Sequence, residues 1–96
     1  MIIVLLSALV QFTVTAVGNA GVLISDGKTD VYIDAFFSGA HAPPAVPVPS
    51  AGLILITHSH WDHFDPDRIV AAAKNGATVI GPPSVIKPLS GRLPAN

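Results

Sequence analysis

One short stretch, THSHWDHFD at residues 57–65, constrains this chain more than any other feature. It holds three of the four histidines, in a chain of which only 11% of the residues are charged. LILIT, the apolar run that begins after Gly52, is typical of a strand covered on both faces. Asp65 and Pro66 have the residue types of a helix N-cap and a first helical position. The sequence therefore predicts a polar loop between a buried strand and a helix.

Strand signals also precede this stretch. Between residues 10 and 16, apolar and polar residues alternate, which predicts a strand with one buried face. The glycines and asparagine at 18–21 indicate a turn into a second strand, GVLIS. Asp26-Gly27 then predicts a two-residue hairpin turn, and a third strand lies within TDVYIDAFF. We expect a meander of about three strands.

The residues that follow the histidines predict a strand, helix, strand unit. The helix that begins after Asp65 should end at Gly76, and ATVIGP then returns as a strand whose crossover implies parallel pairing. Pro83 lies near the start of one further helical turn. The proline-rich stretch 38–52 is expected to be an extended connection without ladder hydrogen bonds.

Composition limits both the size and the chemistry of the protein. A chain of 96 residues can bury one core, and 50% hydrophobic residues with a mean hydropathy of +0.59 favour buried strands over disorder. Five scattered Lys and Arg residues and a net charge of −1 argue against nucleic-acid binding through a basic surface, but leave a metal-dependent nuclease open. Without cysteine, any metal must be held by His and carboxylate groups.

The first charged residue is Asp26, so the uncharged residues before it could be a signal peptide or a membrane span. A signal peptide should begin with basic residues, which are absent here, and residues 18–20 are only a weak cleavage site. A membrane-spanning helix should be apolar throughout, but polar side chains interrupt this segment. The alternation at 10–16 favours a strand instead. We therefore expect no membrane span and a cytoplasmic protein, with export through a weak N-terminal signal as the alternative.

The histidine stretch has the residue types of a metal site. His58 and His60 are two apart, so in an extended chain their side chains leave the same face. Asp62 and His63 follow in a loop that is free to fold back beside the first pair. Imidazole and carboxylate suit Zn²⁺ at about 2.0 to 2.2 Å, and would also accept Mn²⁺ or Fe²⁺. An open site with such ligands lowers the pKa of bound water toward about 7, which supports hydrolysis.

Each polar or aromatic residue near the cluster also has a simpler interpretation. The cluster itself could be a polar loop with capping aspartates, although the H-x-H-x-D-H spacing disfavours this. His41, alone in the proline-rich stretch, is predicted to be a surface histidine. Trp61 and Phe64 are predicted to pack the loop against its neighbours rather than contact substrate. Asp34, at the end of its strand, is a candidate for hydrogen bonding to a ligand histidine and fixing its orientation.

The pattern resembles the metallo-β-lactamase superfamily, whose signature H-x-H-x-D-H follows a strand and matches His58, His60, Asp62 and His63. GNAGVLISDGKTDVYIDAFF resembles the opening hairpin of that family, which ends in an aspartate. DPDRI resembles the start of the following helix in the lactonase-like branch. The resemblance implies an α+β fold, the αββα sandwich, with a metal site between its two sheets.

The same resemblance implies the roles of the individual residues. His58 and His60 would bind a first metal ion, and Asp62 and His63 a second. Asp62 would also orient the attacking water, which makes it the expected catalytic residue. The expected substrate is a small molecule with an ester, lactone, amide, thioester or phosphodiester bond, because the family hydrolyses several of these with the same motif.

The sequence also departs from the family pattern. Family members are typically more than twice this length and take further ligands from their later part, whereas no histidine follows His63 here. Residues 1–96 are therefore expected to form a partial domain, about the N-terminal half of the sandwich. Without the other half of the sandwich, one apolar face of the sheet would be exposed.

Three hypotheses follow from this departure. In the first, which the chemistry favours, the chain is the N-terminal part of a metal-dependent hydrolase and lacks its C-terminal half. In the second, it is a small protein that binds metal without turnover. In the third, two copies dimerise through the exposed sheet and build one site from both motifs. Whether the 96 residues alone are an active enzyme stays open.

Overall fold

The computed structural model of this protein describes residues 11–39, 42 and 46–94. Residues 1–10, on which the export signal and the start of the first predicted strand depend, lie outside the described residues. His41, predicted to be a surface histidine, lies outside them as well. In the described ranges, no helix is long and apolar enough to cross a membrane.

The described residues form a mixed sheet and a few short helical segments. In chain order these elements are β1 Thr13–Val17, β2 Gly21–Ser25, β3 Asp30–Ile33, β4 Leu53–Leu55, α1 Pro66–Ala72, β5 Thr78–Ile80, α2 Pro83–Ile86 and a 3₁₀ turn at Lys87–Leu89. The strands follow the order β1-β2-β3-β4-β5 across one sheet. The first three are antiparallel, and β4 is parallel to both of its neighbours. The meander, the parallel strand, helix, strand unit and the α+β class are confirmed. The buried apolar face predicted for the first strand is wrong among the described residues, because Val14 and Ala16 of β1 are exposed.

The turn between β2 and β3 differs from the predicted two-residue turn. Ser25 pairs with Asp30, so four residues connect the strands. The Asp26 carboxylate accepts hydrogen bonds from the N–H groups of Lys28 and Thr29, at 2.8 and 2.7 Å. Gly27 has a φ of 89°. The Asp26 side chain therefore stabilises a longer loop by accepting from the backbone of Lys28 and Thr29. The Asp-Gly pair alone did not predict this loop length.

The core lies on one face of the sheet. Leu23, Tyr32, Ile54 and Val79 occupy this face in register. Ile54 is fully buried at its centre. The helical segments cover the face with buried side chains that include Ile69, Ala72, Val85 and Leu89. Burying a side chain such as Ile54 stabilises the fold by about 1.5 to 3 kcal/mol relative to leaving it exposed.

The proline-rich connection contributes to this core. Val48 is fully buried, and its N–H donates to the Ala72 carbonyl near the end of α1 at 2.8 Å. The described residues 46–49 belong to no strand, as predicted. The packing of Val48 on α1 was not predicted, because a single apolar residue between prolines carries no periodic signal.

The opposite face of the sheet is apolar and open. No residue of this open face belongs to the core cluster, and each is partly or fully exposed. The strand register places ten residues on it, which are Val14, Ala16, Val22, Ile24, Val31, Ile33, Leu53, Leu55, Thr78 and Ile80. The prediction that β4 is covered on both faces is therefore only partly confirmed among the described residues, because Leu53 and Leu55 are half-buried on this face while Ile54 is buried on the other.

Candidate metal centre

The loop that follows β4 is fixed at both of its ends. At its start, the Ile56 N–H donates to the Ile80 carbonyl at 3.0 Å, and at its end the Asp65 N–H donates to the Phe36 carbonyl at 2.9 Å. Phe36 and Phe64 form an isolated parallel bridge, and both rings are buried. The polar residues between these anchors are therefore held at the carboxyl-terminal edge of the parallel strands.

A tight turn in this loop places the four residues of the predicted ligand set side by side, but among the described residues the ligand atoms that all lie within 4.8 Å of one another are those of His58, His63 and Asp34, without His60 and Asp62. The N–H groups of His63 and Phe64 both donate to the His60 carbonyl, at 2.9 and 3.0 Å. The ring centroid of His58 lies 4.5 Å from that of His60 and 4.1 Å from that of His63. An Asp62 carboxylate oxygen lies 3.6 Å from His63 Nε2. The loop folds back beside the first pair, and metal binding by these four groups stays a prediction.

The cluster is open to solvent on one side and closed on the other. His60 is exposed, whereas His58, Asp62 and His63 are half-buried. Asp34 lies beneath them and is only 5% exposed. The cluster is therefore accessible to solvent from the side of His60, while the opposite side is formed by protein.

Asp34 is the buried floor of this cluster. Its Oδ1 accepts a hydrogen bond from the Thr57 N–H at 2.8 Å. Its Oδ2 accepts from the Thr57 hydroxyl at 2.6 Å and pairs with His63 Nδ1 at 3.0 Å. The expected contact between Asp34 and a histidine of the motif is therefore present. This contact holds His63 with Nδ1 toward Asp34 and Nε2 toward Asp62.

The backbone of Asp34 turns sharply just after β3. Among the described residues other than glycine, Asp34 alone has a positive φ, at 48°. Aspartate and asparagine adopt this left-handed conformation more readily than most residues. The Asp34 N–H still donates to the Leu55 carbonyl at 3.0 Å, so the ladder between β3 and β4 extends to this position. Asparagine is therefore the substitution that fits this backbone best.

Hydrogen bonding favours the ionised form of Asp34. Burial raises the pKa of this carboxyl, but hydrogen bonds from the Thr57 side chain and backbone and from His63 together bring it below its ordinary value. A ligand atom of Asp34 also lies within 4.8 Å of ring nitrogens of His58 and His63, a spacing that direct metal binding would allow. Because both of its oxygens already accept hydrogen bonds, we interpret Asp34 as the group that orients the histidines.

Comparison with known protein families gives a match over the strands and the histidine cluster. The sequence model of the beta-lactamase superfamily domain matches residues 13–90, a range that contains all five strands and the histidine cluster. This chain belongs to the beta-lactamase superfamily. The resemblance drawn from the histidine motif and the opening hairpin is therefore confirmed at the level of the family.

Relatives of this superfamily member carry the name UPF0173 metal-dependent hydrolase. The chain is 44% identical over 64 residues to one from Thermus thermophilus and 44% identical over 71 residues to one from Heliobacterium modesticaldum. It is 42% identical over 67 residues to one from Symbiobacterium thermophilum. These alignments cover 66 to 70% of this chain but only 28% of each relative. No solved structure gives a significant match.

The donor chemistry of this beta-lactamase superfamily member fits a metal ion. Three imidazoles and the carboxylate of Asp62 supply nitrogen and oxygen atoms, the set that Zn²⁺ accepts in open sites. The Nδ1 atoms of His58 and His63 are engaged by Thr57 and Asp34, at 2.8 and 3.0 Å. The remaining ring nitrogens are the Nε2 atoms, and that of His63 faces the Asp62 carboxylate at 3.6 Å, as two ligands of one ion could. Such hydrogen bonds behind metal-binding histidines are the usual arrangement in proteins.

Sequence reasoning missed Thr57, which contacts both Asp34 and His58. Its hydroxyl lies 2.6 Å from Asp34 Oδ2 and 2.8 Å from His58 Nδ1. The available signal was a hydroxyl residue directly before the first histidine, at the end of an apolar strand. The residue type predicts that Thr57 makes a hydrogen bond, but it does not predict the partner, because Asp34 lies 23 residues away in the chain.

The two aromatic residues of the loop have different environments. Phe64 is buried, so its predicted packing role is confirmed. Trp61 is 74% exposed, and the prediction that it packs the loop against its neighbours is wrong. The reason is the turn, in which residue 61 lies at the tip while the N–H groups of His63 and Phe64 fold back to the His60 carbonyl. Trp61 therefore lies at the exposed tip of the loop, with one edge of its ring near Gly39.

The helix after the loop is capped as predicted. The Asp65 side chain accepts from the N–H groups of Asp67 and Arg68, at 2.9 and 3.4 Å, and Pro66 occupies the first turn. The Ser38 hydroxyl donates to the other Asp65 oxygen. This bond is the main cause that lowers the pKa of Asp65. Asp65 thus ends the loop, starts α1 and binds the segment after β3.

Proposed function

We propose that this chain is the N-terminal part of a metal-dependent hydrolase whose metal ligands include His58, His60, Asp62 and His63. The observation that carries the proposal is the cluster at the end of β4, in which ligand atoms of Asp34, His58 and His63 lie within 4.8 Å of one another, with His60 beside His58 and Asp62 beside His63. The names of the relatives, metal-dependent hydrolases, support it. Zn²⁺ is the proposed ion on donor chemistry, with Mn²⁺ and Fe²⁺ as alternatives.

A metal ion bound by these residues would supply Lewis acidity and a water of lowered pKa for attack on an ester, lactone, amide or phosphodiester. Asp62 is the proposed catalytic residue. When ionised, its carboxylate only accepts hydrogen bonds, so it can hold and orient a water that donates to it. Asp34 keeps the imidazole of His63 in place through the 3.0 Å contact with Nδ1. The small-molecule substrate would enter from the side of His60.

The open face of the sheet indicates how the rest of the enzyme would pack. We propose that the described sheet is one half of an αββα sandwich and that a second sheet covers the open face. The matched segment spans 28% of the length of its relatives, which leaves ample chain for that half. The same part would supply the remaining ligands. In the alternative arrangement, a second copy of this chain covers the face and contributes its own motif.

Metal content tests the proposal most simply. Elemental analysis of the purified 96-residue chain should find zinc in the wild type, and His60→Ala should lose it because a ligand is removed. His41→Ala is the matched control, since it removes the one histidine outside the motif. Equal metal content in all three proteins would contradict His60 as a ligand, and a wild type that holds no metal even after loading with zinc would contradict metal binding by this chain.

Light scattering on the same samples distinguishes the two arrangements of the sheet. A chain that awaits its own C-terminal half should have the mass of one copy and bind metal weakly. A mass of two copies, together with one shared metal site, would favour the dimer. Loss of the dimer on changing Ile24 to lysine would then place the contact on the open face.

A further inference from the structure

The Thr57 hydroxyl stands between the buried carboxylate and the first histidine of the motif. Oγ1 lies 2.6 Å from Asp34 Oδ2 and 2.8 Å from His58 Nδ1. The Thr57 N–H also donates to the other oxygen of the same carboxylate, at 2.8 Å. Two hydrogen bonds to one carboxylate fix both the backbone and the side-chain rotamer of Thr57. The hydroxyl is therefore held in place against His58.

The number of protons decides the direction of each hydrogen bond. A hydroxyl has one proton to donate, and a carboxylate can only accept. The Thr57 proton therefore points to Asp34, and its oxygen must accept from His58. This requires the proton of His58 to be on Nδ1. The lone pair of a neutral His58 ring is then on Nε2, on the side of the ring away from Thr57.

His63 is also held with its proton on Nδ1, but by direct contact with Asp34. Its Nδ1 pairs directly with Asp34 Oδ2, at 3.0 Å. One carboxylate therefore sets the proton position of two histidines, directly for His63 and through a hydroxyl for His58. In the sets implied by the histidine motif, these two residues belong to different metal ions. The buried carboxylate of Asp34 would thus fix the proton position of one histidine ligand for each metal ion.

We propose that Thr57 is a positioning residue that fixes the Nδ1–H tautomer of His58 and so presents Nε2 to the metal. The proposal rests on the proposed function, because it assumes that His58 is a ligand. Its physical content is independent of any metal, since the hydrogen bonds exist among the residues of the chain. Thr57 itself contacts no metal in this account.

Two substitutions separate the hydroxyl from the rest of the side chain. Thr57→Val keeps the branched shape and removes the hydrogen bonds, whereas Thr57→Ser keeps the hydroxyl. Long-range ¹H–¹⁵N correlation of the histidine rings, recorded without metal above the pH at which the rings protonate, reports which nitrogen carries the proton. His58 should be in the Nδ1–H form in the wild type and in Thr57→Ser. In Thr57→Val it should become a mixture of both tautomers.

His63 is the internal control in the same spectra. Its tautomer should stay Nδ1–H in Thr57→Val, because Asp34 contacts it directly. A retained His63 signal also shows that the loop of that variant is folded. Thr57→Ala serves as a second hydroxyl-free variant and should repeat the result. An Nδ1–H form of His58 that persists in both hydroxyl-free variants would overturn the proposal.

Zinc titration gives the second readout. Thr57→Val should weaken zinc binding by about 10- to 100-fold, the usual loss when a group behind a metal-binding histidine is removed, while Thr57→Ser should bind like the wild type. Equal affinity in the wild type and Thr57→Val would overturn the role of Thr57. If no protein binds zinc but the His58 tautomer changes as expected, the proposed function fails and the assignment of the tautomer stands.

Discussion

Asp34 Oδ2 and His63 Nδ1 lie 3.0 Å apart and join the end of β3 to the loop after β4. The two residues are 29 positions apart in the sequence, so only the parallel pairing of β3 and β4 brings them together. The same carboxylate binds the backbone and the hydroxyl of Thr57. One buried acid therefore organises the histidine loop.

Replacing Asp34 by asparagine should destabilise the protein by about 1.5 to 3 kcal/mol, the usual range for hydrogen bonds to a charged group. Asparagine fits the left-handed backbone, so the loss reports the carboxylate rather than strain. Asp67→Asn is the control, because the ion pair of Asp67 with Arg92 is on the surface and should contribute about 1 kcal/mol at most. Urea unfolding measures both. Equal losses in the two variants would contradict the organising role of Asp34.

The stability of the protein should fall in acid through Asp65. The pKa of this carboxyl is lowered in the folded state, chiefly by the Ser38 hydroxyl. Its contribution is therefore fully present above the unfolded value, near 3.8, and is lost as the pH falls through the folded value. Asparagine can still cap a helix. The stability difference between wild type and Asp65→Asn should shrink below pH 4, and a constant difference would refute this linkage.

The two faces of the sheet should respond differently to the same substitution. Ile54→Ala empties a fully buried position and should cost about 2 to 5 kcal/mol. Ile24→Ala makes the same change on the open face, where less surface is buried, and should cost clearly less. Unfolding of both variants at several protein concentrations measures this. Equal costs would mean that another chain or segment covers the open face.

Trp61 and Phe64 give a similar contrast within the loop. Phe64→Ala should cost about 3 to 5 kcal/mol because the ring is buried. Trp61→Ala should change stability by about 0.5 kcal/mol or less, as is usual for an exposed position. Because the chain has one tryptophan, the fluorescence of the wild type should also be strongly quenched by acrylamide. A protected tryptophan signal would show that the loop tip is covered.

Most of the strands and the first helix could be predicted because their signals are local. The alternation before Gly18, the apolar run of β4 and the Asp65-Pro66 pair each describe a few neighbouring residues. These signals gave the element types and the parallel pairing of β4 with β5. The position of the histidine cluster at the end of β4 followed from them.

The remaining features depend on residues that are distant in sequence. Thr57 could not be assigned a partner until Asp34 was placed beside it by strand pairing. The burial of Val48 depends on the end of α1, and the exposure of Trp61 depends on the turn at His60. The apolar residues of β4 on the open face have the same sequence pattern as those of a strand packed on both faces. The sequence shows that a residue is hydrophobic but not which segment packs against it.

X-ray absorption at the zinc edge of the metal-loaded chain tests the central claim most directly. If the histidine cluster holds the ion, zinc should be surrounded by nitrogen and oxygen atoms at about 2.0 to 2.2 Å. The spectrum should also contain multiple scattering from imidazole rings, which should weaken in His60→Ala and stay unchanged in His41→Ala. Zinc surrounded only by oxygen atoms, with no imidazole scattering in the wild type, would contradict the assignment of the histidine cluster as a metal site.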